Sequence, residues 1–313
     1  MNHEDLIETL EDTGDYRVLR RLRPRAHFHE PDGTHTKLAI FLDLETTGLN
    51  PETNEIIEIA MVPFEYSSDG RIFKVHDAFN ELQEPGSGLI PDEISRITGI
   101  TNDMVRGQRI NADKVAEIVT PAALVIAHNA SFDRKFAEKA FDVFSTKAWA
   151  CSMSQVPWAE EHFDGAKLEY LAMKSGFFYD AHRATVDCHA AIELLARPLP
   201  RSGKLTLQAL LEEARKPMCR VWAEGSPFDF KDLLKARGYS TDGHPLLNHS
   251  EIRVVRGDVA CGPSKSLLSR LGGVGMSRSE SASSRSNQSL SVPKHSIQGD
   301  SLRCTRKCEN ARG

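Results

Sequence analysis

The chain has 313 residues, 40% of them hydrophobic and 27% charged, and a formal net charge of −5. This is the composition of an ordinary soluble protein with a sizeable core. Apolar runs such as LAIFL at 38–42 are far too short to cross a bilayer, and the acidic first segment lacks the apolar core of a secretory signal. Six cysteines without framework spacing indicate reduced thiols, so we expect a cytoplasmic protein with no membrane contact.

Charge is spread unevenly along the chain. From Ser264 to the end there are nine Lys/Arg and three Asp/Glu, so the preceding residues carry a net charge of −11. An acidic body of this kind can bind cations or can simply be well solvated, and net charge does not decide between the two. A function has to be inferred from particular side chains.

The first 36 residues form an N-terminal extension with an arginine-rich run, YRVLRRLRPR at 16–25. Such a run can contact a phosphate backbone. It is more often the solvated face of a helix or a linker, and that interpretation is favoured here.

The next segment shows the regular pattern of one folded domain. Strands are predicted at 37–45, 55–66, 71–82, 122–130 and 148–153. The first three are joined by short connections, among them the turn SSDG at 67–70, and predict an antiparallel meander.

Helices interleave with the later strands. They are predicted at 91–97, 111–119, 131–141, 166–176 and 184–197, with Ser131 as the N-cap of the third. Strands first, followed by alternating helix and strand, predict an α/β sheet covered by helices.

Prolines and a glycine at 198–203 predict the end of this domain, which spans residues 37–197. Residues 198–262 are interpreted as a linker, in which a helix is predicted at 205–216, followed by a small C-terminal module. Residues 263–313 are rich in serine and lack aromatic residues. Such a tail cannot bury enough apolar surface to order itself, so it is predicted to be disordered.

Carboxylates occur where the predicted elements begin or end. Asp43 and Glu45 stand two residues apart on the buried first strand, so their side chains share one face. Asp133 lies in the first turn of the helix after the fourth strand, and Asp187 begins an apolar stripe on the last helix, with His182 just before it. Each of these residues alone fits an ordinary surface position. Because α/β sites assemble at the ends of sheet strands, the acids together predict one cluster.

Four carboxylates directed at one place cannot all stay ionised without a cation. Mg²⁺ or Mn²⁺ suits a site made only of carboxylates. Two such ions, about 3.5–4 Å apart, stabilise the attacking and the leaving oxygen of a phosphoryl displacement. A neutral histidine beside them can take a proton from the attacking water, which is a role open to His182.

Three segments, FLDLETTGLN at 41–50, AHNASFDRKF at 127–136 and HRATVDCHA at 182–190, resemble in order and spacing the three exonuclease motifs of the DEDD superfamily, histidine subclass. This is the family of the proofreading epsilon subunit of bacterial DNA polymerase III. The resemblance covers residues 37–197, and the three motifs together are highly specific. It implies a ribonuclease H-like fold and metal-dependent removal of nucleotides from a 3′ end, with release of nucleoside monophosphates.

The resemblance also implies a role for each motif residue. Asp43 would bridge two Mg²⁺ or Mn²⁺ ions, and Asp133 would support the second ion, partly through water. Glu45 and Asp187 would complete the hydrolytic metal site, and His182 would be the general base. The residues implied to position the terminal nucleotide are Thr46, Thr47, Gly48, His128 and Asn129.

The substrate stays open at this point. DNA is the simplest expectation, but RNA 3′ ends are an alternative, because no motif fixes a contact to the 2′-hydroxyl. A non-catalytic nucleic-acid-binding or adaptor protein is a further alternative, against which the five intact core residues argue. Replication within a DNA polymerase complex, DNA repair and nucleic-acid turnover are equally allowed.

Two C-terminal segments bear on the domain organisation and on partners. VWAEGSPFDFKDLLKARGYS at 221–240 resembles the start of a small module found in some bacterial relatives, but no tryptophan follows Trp222. We interpret the module as truncated, with the Ser/Arg-rich tail in place of its second half. QSLSVP at 288–293 resembles the glutamine-led peptides that bind the replication sliding clamp, a match that arises easily in a serine-rich tail.

Overall fold

The computed structural model describes residues 2–216 and four short strands beyond them. The chain divides into two compact units, residues 1–215 and residues 216–313. In the second unit the described strands form two antiparallel pairs: Cys219–Val221 with Arg306–Cys308, and Ser240–Thr241 with Ile252–Arg253.

Three predictions for the C-terminal region lie outside the described residues, apart from those short strands. They are the truncated module beginning at 221–240, the clamp-binding peptide at 288–293 and the disordered tail at 263–313.

A six-stranded mixed sheet forms the centre of the first unit, and β1 and β8 form a separate parallel pair. The strands are β1 (Arg20–Arg21), β2 (Thr36–Thr46), β3 (Ile56–Ser67), β4 (Ile72–Val75), β5 (Phe79–Leu82), β6 (Leu124–Ala127), β7 (Trp149–Cys151) and β8 (Phe177–Phe178). The order is β4-β3-β2-β6-β7, and β5 also pairs with β3. β3 is antiparallel to β2, β4 and β5, whereas β2, β6 and β7 are parallel. This confirms the predicted mixed α/β sheet.

The prediction of one continuous third strand at 71–82 is wrong. β4 and β5 both pair with β3, but the residues between them leave the sheet. Pro63 of β3 lies at this interruption and has no N–H to donate to the ladder. Its carbonyl alone takes part, accepting a hydrogen bond from the His76 N–H at 2.8 Å.

Helices cover both faces of the sheet. They are α1 (His3–Asp12), α2 (Asp92–Thr98), α3 (Asn102–Val105), α4 (Ala112–Val119), α5 (Ala130–Ala140), α6 (Leu168–Lys174), α7 (Ala184–Leu195) and α8 (Thr206–Ala214). α4 and α5 pack on one face, and α6, α7 and α8 pack on the other. Within the part of the chain that the structure describes, no helix combines the length and apolarity needed to cross a membrane.

The N-cap predicted for α5 is wrong by two residues. α5 begins at Ala130, so Asn129 occupies the N-cap position, and no side chain caps the helix there. Instead of accepting a backbone hydrogen bond, the Ser131 hydroxyl donates to Asn129 Oδ1 at 2.9 Å.

β2 alternates between the two faces as predicted. Phe41 is fully buried in the cluster that includes α7, whereas Ile40 and Leu42 are fully buried in the cluster that includes α4 and α5. Burial of each such side chain contributes about 1.5–3 kcal/mol to stability. Asp43 and Glu45 continue the Phe41 face, so they point to the side of the sheet on which α7 packs.

Most residues of the N-terminal extension are exposed, in line with its interpretation as a solvated segment, but the extension also contacts the rest of the first unit. β1 pairs with β8, and the Arg25 guanidinium binds both carboxylate oxygens of the buried Glu193 in α7, at 2.8–3.0 Å. Arg197 binds the same carboxylate. The acid that Arg25 binds is far away in the sequence, so no local pattern could indicate this contact.

Candidate active site

The end of β2 carries the first two acids of the site. Asp43 and Glu45 are only partly exposed, on the face that α7 covers. Directly opposite Glu45 on β3 is a further glutamate, Glu58. Because antiparallel neighbours on one face lie close together, three carboxylates share this small surface.

α5 brings Asp133 to the same strand end. Its side chain is buried, with 3% of the residue exposed, and burial raises its pKa to about 7. Backbone N–H groups of Asp133 itself and of Leu44 donate to the carboxylate and act in the opposite direction. The charge of Asp133 in turn raises the pKa of Asp43.

α7 brings Asp187 to the site in its first turn. The carboxylate accepts a hydrogen bond from the Arg183 N–H at 3.1 Å. Burial is the largest cause of its raised pKa, whereas the nearby His182 lowers it. His182 is exposed, and its φ of 64° lies in the left-handed region that non-glycine residues seldom occupy.

Carboxylate oxygens of Asp43, Glu45 and Asp187 lie within 4.8 Å of one another. Burial, followed by repulsion from neighbouring acids, raises the pKa of Asp43 well above its usual range and that of Glu45 to about 8. The charge of Arg183 acts in the opposite direction on Glu45. Ionised carboxylates at these positions are unfavourable unless a cation joins them.

The donor set fits a hard divalent cation. All three converging groups are carboxylates, the ligands that Mg²⁺ and Mn²⁺ prefer, and a cation between them would remove the repulsion that raises their pKa values. Asp133 is not in the converging group of three. The structure thus brings three of the four predicted ligands together and leaves the fourth just behind them.

We predict that the metal-free protein loses stability as the pH rises from about 5.5 to about 8. The pKa of Glu45, about 8, lies above the ordinary value of 4.5, so the folded protein retains a proton that the unfolded chain has released. Stability is therefore highest at the acid end of this window and falls as the folded-state groups ionise. Melting temperatures measured with a chelator at the two pH values test this.

The matched control for this prediction is Glu45→Gln, which cannot ionise at that position. The difference in melting temperature between the two pH values should shrink in this variant. An equal difference in both proteins would locate the pH dependence outside the acid cluster.

The loop after β2 contains Thr46, Thr47 and Gly48, whose polar groups are largely engaged within the loop. The Thr46 hydroxyl donates to the Gly48 carbonyl at 2.7 Å, and the Thr47 hydroxyl accepts from the Glu55 N–H at 3.0 Å. A Cβ at Gly48 would stand only 2.7–2.9 Å from the Asn54 amide group, so no other residue fits without a shift. The backbone is thus the part of the loop that remains for the predicted nucleotide contact.

His128, at the end of β6, is tied into the protein through both ring nitrogens. Nε2 lies 2.7 Å from the Ala166 carbonyl, which can only accept, so Nε2 donates. Nδ1 is then the acceptor for the Ser152 hydroxyl at 3.0 Å. Burial lowers the pKa of His128. Its neighbour Asn129 is exposed, so of this predicted pair Asn129 is the residue whose side chain can reach a substrate.

We predict that His128→Ala destabilises the protein by about 1–3 kcal/mol, because it leaves the buried Ser152 hydroxyl and the Ala166 carbonyl without their partner. Urea unfolding of the variant and of the wild type measures this difference. Unchanged stability together with a raised KM would instead indicate direct substrate contact by His128.

Two site residues are missing from the sequence-based prediction. Glu58 is 1% exposed and faces Glu45, and Tyr179 has a buried hydroxyl that makes no hydrogen bond of good geometry. Tyr179 lies close enough to Asp187 for the negative charge of that residue to raise its pKa, after burial as the largest cause. The sequence feature that could have indicated Glu58 is its position as an acid between apolar residues in EIIEIAMV. No sequence feature indicated Tyr179.

Comparisons with known proteins identify the family of the chain and several relatives. The model of the exonuclease family matches residues 40–195. The DNA polymerase III epsilon subunit of Aquifex aeolicus is 31% identical over 175 residues, which are 54% of this chain and 81% of that protein. The corresponding subunit of Treponema pallidum is 28% identical over 177 residues, covering 52% of this chain and 76% of that protein.

Other relatives are much longer. A PolC-type DNA polymerase III of Thermotoga petrophila is 27% identical over 55% of this chain, which spans only 13% of that polymerase. A solved structure of Escherichia coli exonuclease I with a dA16 oligonucleotide has a TM-score of 0.48 and 15% identity, covering 71% of this chain and 63% of that one. Because the family model matches residues 40–195 and the epsilon subunits are relatives of this chain, the chain belongs to the exonuclease family. This family is part of the DEDD superfamily, whose three motifs the chain resembles.

Proposed function

We propose that the protein is a metal-dependent 3′–5′ exonuclease that acts on DNA and releases nucleoside monophosphates. The observation that carries this proposal is the convergence of Asp43, Glu45 and Asp187 within 4.8 Å at the end of β2, with the buried Asp133 behind them. Membership of the exonuclease family supports the same reaction.

The four carboxylates would hold two Mg²⁺ or Mn²⁺ ions. Such a pair supplies charge stabilisation for the attacking and leaving oxygens of an in-line displacement. The chain's own contribution is to fix the oxygens: β2 carries Asp43 and Glu45, and hydrogen bonds from backbone N–H groups orient Asp133 and Asp187. Preorganised carboxylates need no rearrangement when the reaction occurs.

His182 is the general base in this proposal. It is exposed, so water and substrate can reach its ring, and it is close enough to Asp187 to lower the pKa of that carboxyl. A neutral imidazole takes the proton of the attacking water, and the negative charge of Asp187 stabilises the imidazolium that results.

DNA is proposed as the substrate because several of the relatives are named as DNA polymerase III subunits. The same names support an association with a DNA polymerase complex and a role in replication. RNA 3′ ends are the alternative outcome of the test, since none of the three motifs fixes a contact to a 2′-hydroxyl.

The test is degradation of 5′-labelled single-stranded DNA and RNA, side by side, with Mg²⁺, with Mn²⁺ and with chelator. A ladder shortening from the 3′ end, dependent on metal and faster on DNA, is expected. A faster RNA reaction would reassign the substrate. No cleavage in either metal would favour a binding protein that keeps the fold without the chemistry.

We predict that substrate binding weakens strongly with salt. Residues 1–263 are acidic overall, so the polyanion must rely on the bound cations and on local basic side chains such as Lys135, Lys167 and Arg183, which are exposed. Binding of an oligonucleotide at increasing salt, with Ca²⁺ to prevent turnover, measures the dependence. Lys135→Ala with Lys167→Ala should lower the salt slope, and a salt-independent Kd contradicts the prediction.

A further inference from the structure

Glu58 is a buried acid that the proposed reaction does not use. It lies in β3 directly opposite Glu45, and only 1% of it is exposed. Removing a carboxylate from water beside other carboxylates is unfavourable unless specific partners compensate. Its oxygens are not among those of the three converging acids, so its partners have to be found within the protein.

The partners of Glu58 are on β5 and at the start of α7. Asn80 of β5 donates to one carboxylate oxygen at 2.8 Å. The other oxygen lies 3.4 Å from the backbone nitrogen of Ala184, the first residue of α7. The Arg183 guanidinium is 3.8 Å away. β5 therefore orients the carboxylate, and the carboxylate faces the helix.

The start of α7 needs such a partner. Its N-cap residue is Arg183, and no side chain of the cap accepts a hydrogen bond from the helix. The first N–H groups of a helix lack partners within it and carry partial positive charge, so a carboxylate placed there is stabilising. His182, one residue earlier, is in the left-handed conformation, which persists only where the surroundings hold it.

We propose that Glu58 is a positioning residue: from β3 it fixes the first turn of α7, and with it the backbone that carries His182 and Asp187 to the acids of β2. Its effect on catalysis rests on the proposed function. Its effect on the backbone of α7 does not, and the two are measured separately.

The catalytic test is a double-mutant cycle with His182. Glu58→Ala should lower kcat roughly 10- to 100-fold, the loss expected when a catalytic group is displaced by about 1 Å, with KM little changed. Glu58→Gln, which keeps an acceptor oxygen, should recover most of this loss. In a His182→Ala background Glu58→Ala should lower kcat by a smaller factor, because one of the two groups that it positions is absent. Equal losses in both backgrounds would overturn a role through His182.

The second test needs no activity. Hydrogen–deuterium exchange of the segment 180–188 should rise in Glu58→Ala and more weakly in Asn80→Ala, which removes the group that orients Glu58 but leaves its charge. Glu65→Ala, on the same strand and away from the site, is the matched control and should leave this segment unchanged. Unchanged exchange in both Glu58→Ala and Asn80→Ala would overturn the proposal. An inactive wild type with raised exchange in Glu58→Ala would refute the proposed function alone.

Discussion

Asp43→Asn is expected to abolish nuclease activity and, at the same time, to make the metal-free protein more stable. Asp43 lies at the centre of the cluster and is affected by the charges of Asp133, Asp187, Glu45 and Glu58. Loss of a cation that stabilises transition-state charge is worth several kcal/mol, which corresponds to a rate lower by a factor on the order of 10³ or more.

The gain in stability comes from the removal of electrostatic repulsion in the metal-free protein. Without metal, an ionised Asp43 is desolvated and repelled by its neighbours. Asparagine has nearly the same shape and no charge, so the folded state no longer bears that repulsion. A melting temperature about 2–5 °C higher at about pH 8 is expected, since 1 kcal/mol shifts it by about 2–4 °C in a chain of this size.

Both effects are measured on one protein preparation. Activity is followed on labelled DNA, and melting temperature with chelator and with Mn²⁺. Mn²⁺ should stabilise the wild type through binding to the folded state and should stabilise Asp43→Asn much less. The control is Asp103→Asn, an exposed acid paired with Arg106, which should change neither quantity. A lower metal-free melting temperature in Asp43→Asn would contradict the repulsion inferred for the cluster.

The sheet and the convergence of three of the predicted acids could be predicted because their signals are local. Alternation along β2 placed Asp43 and Glu45 on one face, and helical spacing placed Asp187 at the head of the stripe that packs on the sheet. Those patterns depend only on neighbours within a few residues. The convergence of Asp43, Glu45 and Asp187 is the geometry that these local patterns indicated.

The structural features that were not predicted depend on contacts between segments that are distant in the sequence. Glu58 is a site residue because the register of β2 and β3 sets it opposite Glu45, and register depends on the loop between the strands as well as on the hydrophobic pattern. The break between β4 and β5 arises from the missing N–H of Pro63 on the neighbouring strand. His128 matched a motif, yet its two ring nitrogens bind Ser152 and Ala166.

His182→Ala is expected to lower kcat by roughly 10²- to 10⁴-fold, the usual contribution of general base catalysis, while Mn²⁺ binding is retained. The side chain is exposed and is not among the three converging carboxylates, so its removal leaves the cation ligands intact. Loss of Mn²⁺ binding in this variant would show that His182 supports the metal site and would contradict its assignment as base.

Two further measurements separate a base from a structural role. Because the ring of His182 is open to solvent, added imidazole should restore part of the activity of the variant. The matched control is His162→Ala, because His162 is also exposed and has a φ of 66°. This substitution also replaces a histidine in the left-handed conformation by alanine, but it does not remove the proposed base. Equal losses of kcat in both variants would attribute the effect to the backbone rather than to proton transfer.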